Sequence, residues 1–273
     1  MDVETLSSAL ELLSGHGPSP EQKAAVRCAL LLLRRDMRLS RAYFWGKILG
    51  VRGDYYIAQG TEGEEQLTGR RSFYSLNCLD WCLLPPATDD VIREAEHIKG
   101  RFIGDPSHEY QQTLRRKVGE GPAEEEVTHH ITEETRLVAT IALIDREAAV
   151  SPRGALIRNT AGEVTTNHSF RGLTVSEARK LSSFSHFTPT PVPKKKSLLE
   201  KADLDPAIDF LNSLEHDVPK GCWSLQLEQG SSVVILRSLL WLGMTFFHVP
   251  LTPQHGYVYI GNGERNNDLP FMI

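Results

Sequence analysis

Two regions of this sequence alternate apolar and polar residues with a period of two, and this pattern most constrains the fold. In residues 223–228, Trp, Leu and Leu alternate with Ser, Gln and Glu. Residues 43–58 hold two aromatic-rich runs on either side of a short turn-forming stretch. Successive side chains of a strand point to opposite faces, so both patterns are typical of half-buried strands joined as hairpins. We therefore expect an antiparallel β-sheet that draws on residues 41–77 and 222–260.

Apolar residues at helical spacing predict helices before and between these two regions. Ser19, followed by Pro20 and Gln22, carries the start signals of a helix. Thr88 is expected to cap a short helix. Residues 133–148 have the next strongest helical pattern, and one face of that helix holds four apolar residues: Leu137, Ile141, Ile144 and Ala148. The expected fold class is α+β, an antiparallel sheet built from hairpins with packed helices and a helical N-terminal region.

Three weaker patterns also predict helices. Residues 5–14 place leucines on one face, Thr174–Glu177 has the form of a capping box, and Asp205–Pro206 is expected to open a helix. Gly119–Pro122 together with Glu124–Glu126 is expected to form an acidic loop.

The length of 273 residues suits a single α+β domain over residues 1–273. Within it we expect a helical N-terminal region at 1–40, a Pro/Lys connector at 187–202 and a β-rich acidic part at 203–273. Proline at every second position of the connector excludes a helix, because proline lacks the N–H donor. Limited proteolysis of the free protein is expected to cleave this connector.

Charge is unevenly spread along the chain. The net charge is −5, and residues 203–273 account for all of it, with 3 basic and 8 acidic side chains. A nucleic-acid-binding protein normally has a basic surplus, so we expect no nucleic-acid partner. Four short basic clusters are expected to be solvated faces: Arg34–Arg35, Arg70–Arg71, Arg115–Lys117 and Lys194–Lys196. No apolar run approaches the ~20 residues that span a bilayer, and the first residues do not resemble a signal peptide.

The sequence contains no motif that assembles a catalytic or cofactor site. Residues 63–72 come nearest to a phosphate-binding loop, but the glycine spacing is wrong and no Lys follows the second Gly. Cys78 and Cys82 lie at a spacing that could share a metal ion, whereas Cys28 and Cys222 are isolated and a tetrahedral site needs four ligands. No G-x-S-x-G motif is present.

The histidines give no clearer prediction. His129 and His130 are adjacent, so on a strand they would point to opposite faces. His248 and His255 flank a possible hairpin and could approach one another, but two imidazoles do not make a site. We expect no catalytic residue, no cofactor and no bound metal.

The four tryptophans are expected to serve mainly in packing: Trp45, Trp81, Trp223 and Trp241. The apolar strands within 233–247 need cover on both faces. A partner could supply it, or residues 5–40 could supply it from within the chain. An acidic rim is expected to steer basic neighbours to this part, and its exposed carboxylates are expected at Asp209, Glu215 and Asp217.

Several segments resemble a known family. Phe44–Gly50 followed by Asp54–Gly60 resembles the signature of the radial spoke head proteins of the ciliary axoneme. Leu242 departs from the pattern locally, since much of the family has Pro there. Further segments of the same resemblance are spread over the chain: Tyr74–Cys78, Trp81–Pro86, Lys99–Phe102, Gly104–Pro106, Glu133–Leu137, Ser213–Asp217, Pro219–Gly221, Leu236–Trp241, Tyr257–Tyr259 and Asp268–Phe271.

The resemblance implies a non-enzymatic structural subunit of the radial spoke head in motile cilia and flagella. In that family the heads pass signals from the central pair to dynein. Implied partners are other radial spoke head proteins, including larger relatives that share these motifs, and a second copy of the head. The implied location is the axoneme, within the cytoskeleton and cytoplasm of the cilium. Two other hypotheses stay open at this point: a soluble adaptor outside the axoneme, and an enzyme whose site includes Cys78, Cys82 and a distant histidine.

Overall fold

A computed structural model describes residues 17–67, 69–117, 124–187, 204–228, 230 and 232–272. The helix expected at 5–14 and nearly all of the Pro/Lys connector lie outside the described residues. The helices are α1 (Pro20–Asp36), α2 (Asp89–Ala95) and α3 (Glu133–Ala148), and single turns of 3₁₀ helix lie at Leu181–Ser183, Leu214–His216 and Leu269–Phe271. No helix in the described ranges has the length and apolar character that crossing a membrane requires.

One sheet of eight strands dominates the fold. In chain order its first four strands are β1 (Arg41–Ile48), β2 (Tyr55–Thr61), β3 (Arg70–Ser75) and β4 (Cys82–Leu83). Three smaller pairs follow, between β5 (Glu109–Lys117) and β6 (Glu124–Thr132), between β7 (Val150–Pro152) and β10 (Phe184–His186), and between β8 (Leu156–Arg158) and β9 (Val164–Thr166). The large sheet is completed by β11 (Trp223–Glu228), β12 (Val233–Ser238), β13 (Met244–His248) and β14 (His255–Gly261).

The strand order in the large sheet is β11-β12-β13-β14-β1-β2-β3-β4, so each β-rich region forms a four-stranded antiparallel meander. Strands β1 and β14 join the two meanders and are parallel, with Gly46 opposite Tyr259. A Cβ added at Gly46 would lie 2.0 Å from the carbonyl oxygen of Tyr259, so only glycine allows this approach. The α+β fold with a mainly antiparallel sheet is therefore confirmed, and the parallel seam is a feature that the alternation pattern did not predict.

Both faces of the sheet are covered from within the chain. Helix α3 packs on one face, where Trp45, Phe246 and Tyr259 belong to the same apolar cluster as the helix. On the other face α1 shares a cluster with residues of both meanders, among them Phe44, Val233, Ile235, Phe247 and Val258, all of them buried. The strands within 233–247 therefore do not need a partner to cover them, and residues 20–36 contribute to the cover that was expected from residues 5–40.

The predicted helix starting at Ser19 is confirmed, and its N-terminus is capped as the sequence indicates. The Ser19 Oγ accepts a hydrogen bond from the Gln22 N–H at 3.2 Å, and Gln22 Oε1 accepts one from the Ser19 N–H at 2.9 Å. Helix α3 has the bounds that the sequence predicts. Three of the four tryptophans, Trp45, Trp223 and Trp241, are buried, whereas Trp81 is half-buried.

Three local predictions were wrong. Thr174 and Glu177 form the reciprocal bonds of a capping box, but the chain makes only a turn there. No helix opens at Asp205, because its Oδ1 accepts the Ala207 N–H and its own N–H donates to Asp209, which satisfies the backbone locally. In the predicted acidic loop, Glu124–Glu126 begins β6, and Gly119–Pro122 lies outside the described residues.

Candidate interaction surface

The four cysteines are free thiols in different surroundings. Cys78 is buried and Cys82 is exposed, and both are free thiols, as are Cys28 and Cys222. Burial raises the pKa of the Cys78 thiol to about 11, against a smaller effect of the Lys47 charge. A thiol with a raised pKa is a poor nucleophile at neutral pH. Within the described ranges, no three Cys, His, Asp or Glu side chains come together as metal ligands would.

The two pairs of histidines singled out in the sequence have different surroundings. His129 and His130 lie side by side on β6, and His130 approaches Glu109 at 3.8 Å. His248 and His255 do approach one another, because β13 and β14 pair them directly and their ring centres are 6.4 Å apart. His248 Nε2 accepts the Leu173 N–H at 3.1 Å, and its Nδ1 lies 3.0 Å from the Gln254 carbonyl oxygen. Both nitrogens of His248 are therefore used in holding loops to the sheet.

The glycine-containing stretch at 63–72 does not form a phosphate-binding loop. Its last residues start β3 rather than a helix, and Arg71 pairs with Glu62 at 2.8 Å. A phosphate loop needs a helix N-terminus whose N–H groups point at the ligand, and a strand offers none.

A cavity of about 320 Å³ lies beside β1 and β14. The Arg70 guanidinium stacks on the Phe187 ring at 4.0 Å and donates to the Tyr257 hydroxyl at 3.3 Å. Burial lowers the pKa of His255 to about 4 and raises the pKa of Tyr257. Both groups are therefore neutral at pH 7 and poorly suited to proton transfer there.

Two of the three carboxylates expected on the acidic rim are tied down inside the chain. Asp209 accepts two hydrogen bonds from the Arg153 guanidinium, at 2.5 and 2.8 Å, and its side chain is only 7% exposed. Asp217 accepts the Trp223 indole N–H at 2.8 Å and lies 2.9 Å from His186 Nε2. Glu215 alone of the three is exposed. The expectation of a steering rim is wrong for Asp209 and Asp217, which hold the fold.

Helix α3 carries a buried carboxylate near each end. At its first residue, Glu133 is fully buried and accepts five hydrogen bonds. The donors are the hydroxyls of Tyr55 (2.7 Å) and Tyr110, and the N–H groups of Ile103 (2.8 Å), Gly104 (2.6 Å) and Asp105 (3.1 Å). Burial alone would raise the pKa of Glu133, but these hydrogen bonds outweigh it and hold the pKa below its usual value.

Asp145, near the other end of the helix, is also buried. Its carboxylate accepts the Trp45 indole N–H at 2.7 Å and the Gln59 side-chain N–H at 2.6 Å. Here burial wins: the pKa of Asp145 is raised, although the Arg70 charge and these two hydrogen bonds oppose the shift.

Between these two carboxylates, Arg136 lines a groove of about 880 Å³. We call it the α2–α3 groove. It lies between α2 and α3 on one side and the chain around Trp241–Leu242 and 263–272 on the other. The Arg136 guanidinium stacks between the rings of Phe102 (4.3 Å) and Tyr110 (5.0 Å), and its Nη2 donates to the Gly100 carbonyl oxygen.

Comparison with known proteins covers the whole chain. No protein-family model matches the sequence. Curated proteins named radial spoke head protein 9 homolog match over 100% of both chains, with 68% identity in Xenopus tropicalis, 53% in Homo sapiens and 52% in Danio rerio. The chain belongs to the radial spoke head protein 9 family. This confirms the resemblance, and the family's name describes a structural part of the radial spoke rather than an enzyme.

A member of the radial spoke head protein 9 family is expected to have surfaces that contact other proteins. Large apolar side chains of the described residues are exposed on α1 (Leu31 and Leu32), at the turn before β4 (Leu76 and Leu79) and beside the α2–α3 groove (Leu242 and Met272). Apolar side chains grouped at a groove are typical of protein interaction sites.

Sequence patterns missed the residues that give the α2–α3 groove its chemistry. From the sequence, Arg136 and Glu133 could only be assigned to a predicted amphipathic helix and to a segment that resembles the family. One signal could have identified them: charged residues on the apolar face of a helix are expected to be buried and to need partners. Which loop supplies those partners depends on tertiary structure, because Gly100 and Ile103 lie about thirty positions before the helix.

Proposed function

We propose that this chain is a non-enzymatic structural subunit of the radial spoke head in the axoneme of motile cilia and flagella. The observation that carries the proposal is the match over the full length of relatives named radial spoke head protein 9 homolog, at 52–68% identity. Coverage of the whole of both chains favours the same position in an assembly rather than a shared fragment.

We further propose that it works by binding other spoke-head proteins, including larger relatives that share its motifs, and a second copy of the head. Exposed apolar side chains on three separate surfaces support several contacts. The cavity beside β1 and β14 also fits binding better than catalysis, since the lowered pKa of His255 and the raised pKa of Tyr257 both lie far from the range that proton transfer near pH 7 requires.

In this proposal the head relays mechanical signals from the central pair to dynein, and a stiff body suits that role. The two meanders share one sheet through β1 and β14, and apolar clusters cover both faces. Close-packed interiors transmit strain because their compressibility is low. We also infer that residues 1–273 act as one domain, since the first and last thirds of the chain contribute to the same sheet.

Retention in the axoneme tests the proposal. After detergent extraction of motile cilia, the protein is expected to stay with the axonemal pellet together with other radial spoke head proteins. Recovery in the detergent-soluble fraction alone would favour the adaptor outside the axoneme. In parallel, co-expression with a larger radial spoke head protein is expected to give one complex on size exclusion.

The charge variants for that complex follow from the structure. Glu215→Lys changes an exposed carboxylate and tests steering at the acidic end of the chain. Asp209→Lys is unsuitable, because it would break the pair with Arg153 and so destabilise the fold. Removal of residues 222–273 is also unsuitable, since it deletes four of the eight strands of the sheet.

A further inference from the structure

Two arginines line the cavity beside β1 and β14, and they start from the same face of the sheet. The strand register places Arg41 opposite Thr61 and Thr61 opposite Arg70. Residues directly opposite on neighbouring strands project to one face, and two strand spacings separate the outer backbones by about 10 Å. The fold therefore brings two like charges to the border of one space.

Arg41 has donors that are still available. Its Nη1 donates to the Thr166 hydroxyl at 3.1 Å, and the described residues give the guanidinium no carboxylate partner. The side chain is half-buried, and its other two nitrogens are not among the side-chain atoms that are both unpartnered and closed to solvent. An anion that enters the cavity can therefore accept hydrogen bonds from Arg41.

Positive charge exceeds negative charge around the cavity. Its described lining contains Arg41 and Arg70 and no carboxylate. The carboxylate of Asp145 acts on Arg70 from behind the lining, and burial raises the pKa of Asp145 toward the neutral form. His255 also lines the cavity and is uncharged at pH 7, since burial lowers its pKa to about 4. Two cations thus face at most one anion, in either protonation state of Asp145.

The remaining walls are largely apolar. A cavity of about 320 Å³ lies within the size range of small-molecule sites, which combine apolar walls with a few polar groups. Such a space accommodates an apolar body, while the available donors of Arg41 accommodate one anionic group. The apolar and aromatic lining includes Trp45, Val150, Leu156, Phe187, Pro253 and Tyr257.

We propose that the cavity beside β1 and β14 binds a small organic carboxylate. The carboxylate lies against the Arg41 guanidinium, which matches two oxygens with parallel donors. The aromatic or aliphatic body of the ligand packs against Trp45, Leu156 and Phe187. The surplus of positive charge selects an acid over an amine of the same shape. This inference goes beyond the proposed function, because it requires no other spoke-head protein.

The first test compares compounds of equal shape and opposite charge. Binding to the purified full chain is measured by isothermal titration calorimetry with indole-3-acetate and tryptamine, and with octanoate and octylamine. At least one acid is expected to bind, and to bind about tenfold or more tightly than its amine, because charge-assisted hydrogen bonds form only with the anion. Equal affinity for acid and amine would overturn the proposal.

The second test removes the available guanidinium. Arg41→Gln keeps a donor for Thr166 and is expected to weaken binding of the acid by about tenfold or more. Arg52→Gln is the matched control, since Arg52 is exposed beyond the opposite end of β1 and does not line the cavity. The control is expected to keep the wild-type dissociation constant.

The third test leaves the buried part of the molecule unchanged. Gln254 is exposed, lines the cavity and makes no side-chain hydrogen bond with the described residues. Gln254→Glu is expected to weaken the acid and to strengthen the amine, because it places a carboxylate at the cavity. Gln111→Glu, at an exposed position on β5, is the control and is expected to change neither affinity. This variant decides the matter if Arg41→Gln does not fold.

Two further outcomes overturn the inference. Neither acid may fail alone: the absence of binding by both acids at millimolar concentration contradicts a carboxylate site. Wild-type affinity for the acid in folded Arg41→Gln and in Gln254→Glu places the bound acid elsewhere on the protein. Both results leave the proposed function standing, since retention in the axoneme and assembly with spoke-head proteins are measured without these compounds.

Discussion

Glu133 and Asp145 are two buried carboxylates on one helix, and their surroundings shift their pKa values in opposite directions. Glu133 stands at the first residue of α3, where three backbone N–H groups and two hydroxyls point at it. Asp145 stands three turns later and has two side-chain N–H donors within 2.7 Å. The pKa of Glu133 lies below its usual value and that of Asp145 above it.

The difference shows that hydrogen bonds to a buried acid outweigh the effect of burial on its pKa in one place and not in another. Five donors, at the end of a helix where the dipole favours negative charge, make the ionised form of Glu133 a structural anchor. That anchor ties the 102–105 loop, β2 and the base of the β5–β6 hairpin to α3. At Asp145 burial outweighs the Arg70 charge and the hydrogen bonds from Trp45 and Gln59, so the ionised form is the less favourable one.

Glu133→Gln should give the largest effect. The amide keeps one acceptor oxygen but turns an NH₂ group toward groups that themselves donate, so buried donors lose their partners. We expect a loss of about 3–5 kcal/mol in the free energy of unfolding. Denaturant unfolding measures it, with the half-buried neighbour Glu134→Gln as the control. A loss equal to that of the control would show that Glu133 is not an anchor.

Tyr55→Phe removes a single donor to Glu133 and should cost less. A hydrogen bond to a charged group contributes about 1.5–3 kcal/mol, and the phenyl ring preserves the packing of Tyr55 against Phe102. In a double-mutant cycle with Glu133→Gln, the two losses should fall short of additivity. Full additivity would contradict the 2.7 Å contact between the two side chains.

Asp145→Asn should have the smallest effect, a loss of about 1–2 kcal/mol near pH 7. Its NH₂ group faces one of the two donors, Trp45 or Gln59, but the neutral side chain also removes the charge that burial disfavours. The size of this loss depends on pH. A raised pKa in the folded state means that wild-type Asp145 stabilises fully only below its unfolded pKa and loses that contribution as pH rises through the folded pKa.

The variant should therefore gain stability relative to wild type between pH 4 and pH 7. The lowered pKa of Glu133 acts in the reverse direction, since its contribution is present at neutral pH and is lost as pH falls. Urea unfolding at both pH values measures the difference between the two chains. A difference that stays constant with pH would show that the Asp145 pKa is not raised.

The strands and the long helices could be predicted from the sequence because their patterns are local. Trp223–Glu228 alternates cleanly, and α3 keeps four apolar residues on one face over its whole length. The helix predicted after Asp205 was wrong because the carboxylates of Asp205 and Asp209 accept nearby backbone N–H groups. The helical spacing of Ile208, Leu211 and Leu214 does not reveal these hydrogen bonds.

The candidate surface was less predictable because it depends on distant contacts. Asp209 was expected on an acidic rim, but Arg153, far away in sequence, removes it from the surface. On helix α3, the carboxylate of Glu133 lies one turn from Arg136 but accepts its five hydrogen bonds from other groups. Charge counts along a chain do not show which charges remain available after folding.

The parallel seam between β1 and β14 has a consequence for synthesis of the protein. Strand β1 leaves the ribosome long before β14 is translated, and on one side it presents unpaired backbone groups until then. A nascent chain with an open central strand is prone to pair with other chains, so chaperones that hold it are expected to matter for yield. For the same reason, a premature stop codon ahead of residue 255 leaves β1 without β14 beside it. The truncated product is then expected to aggregate or to be degraded, even when it contains most of the chain.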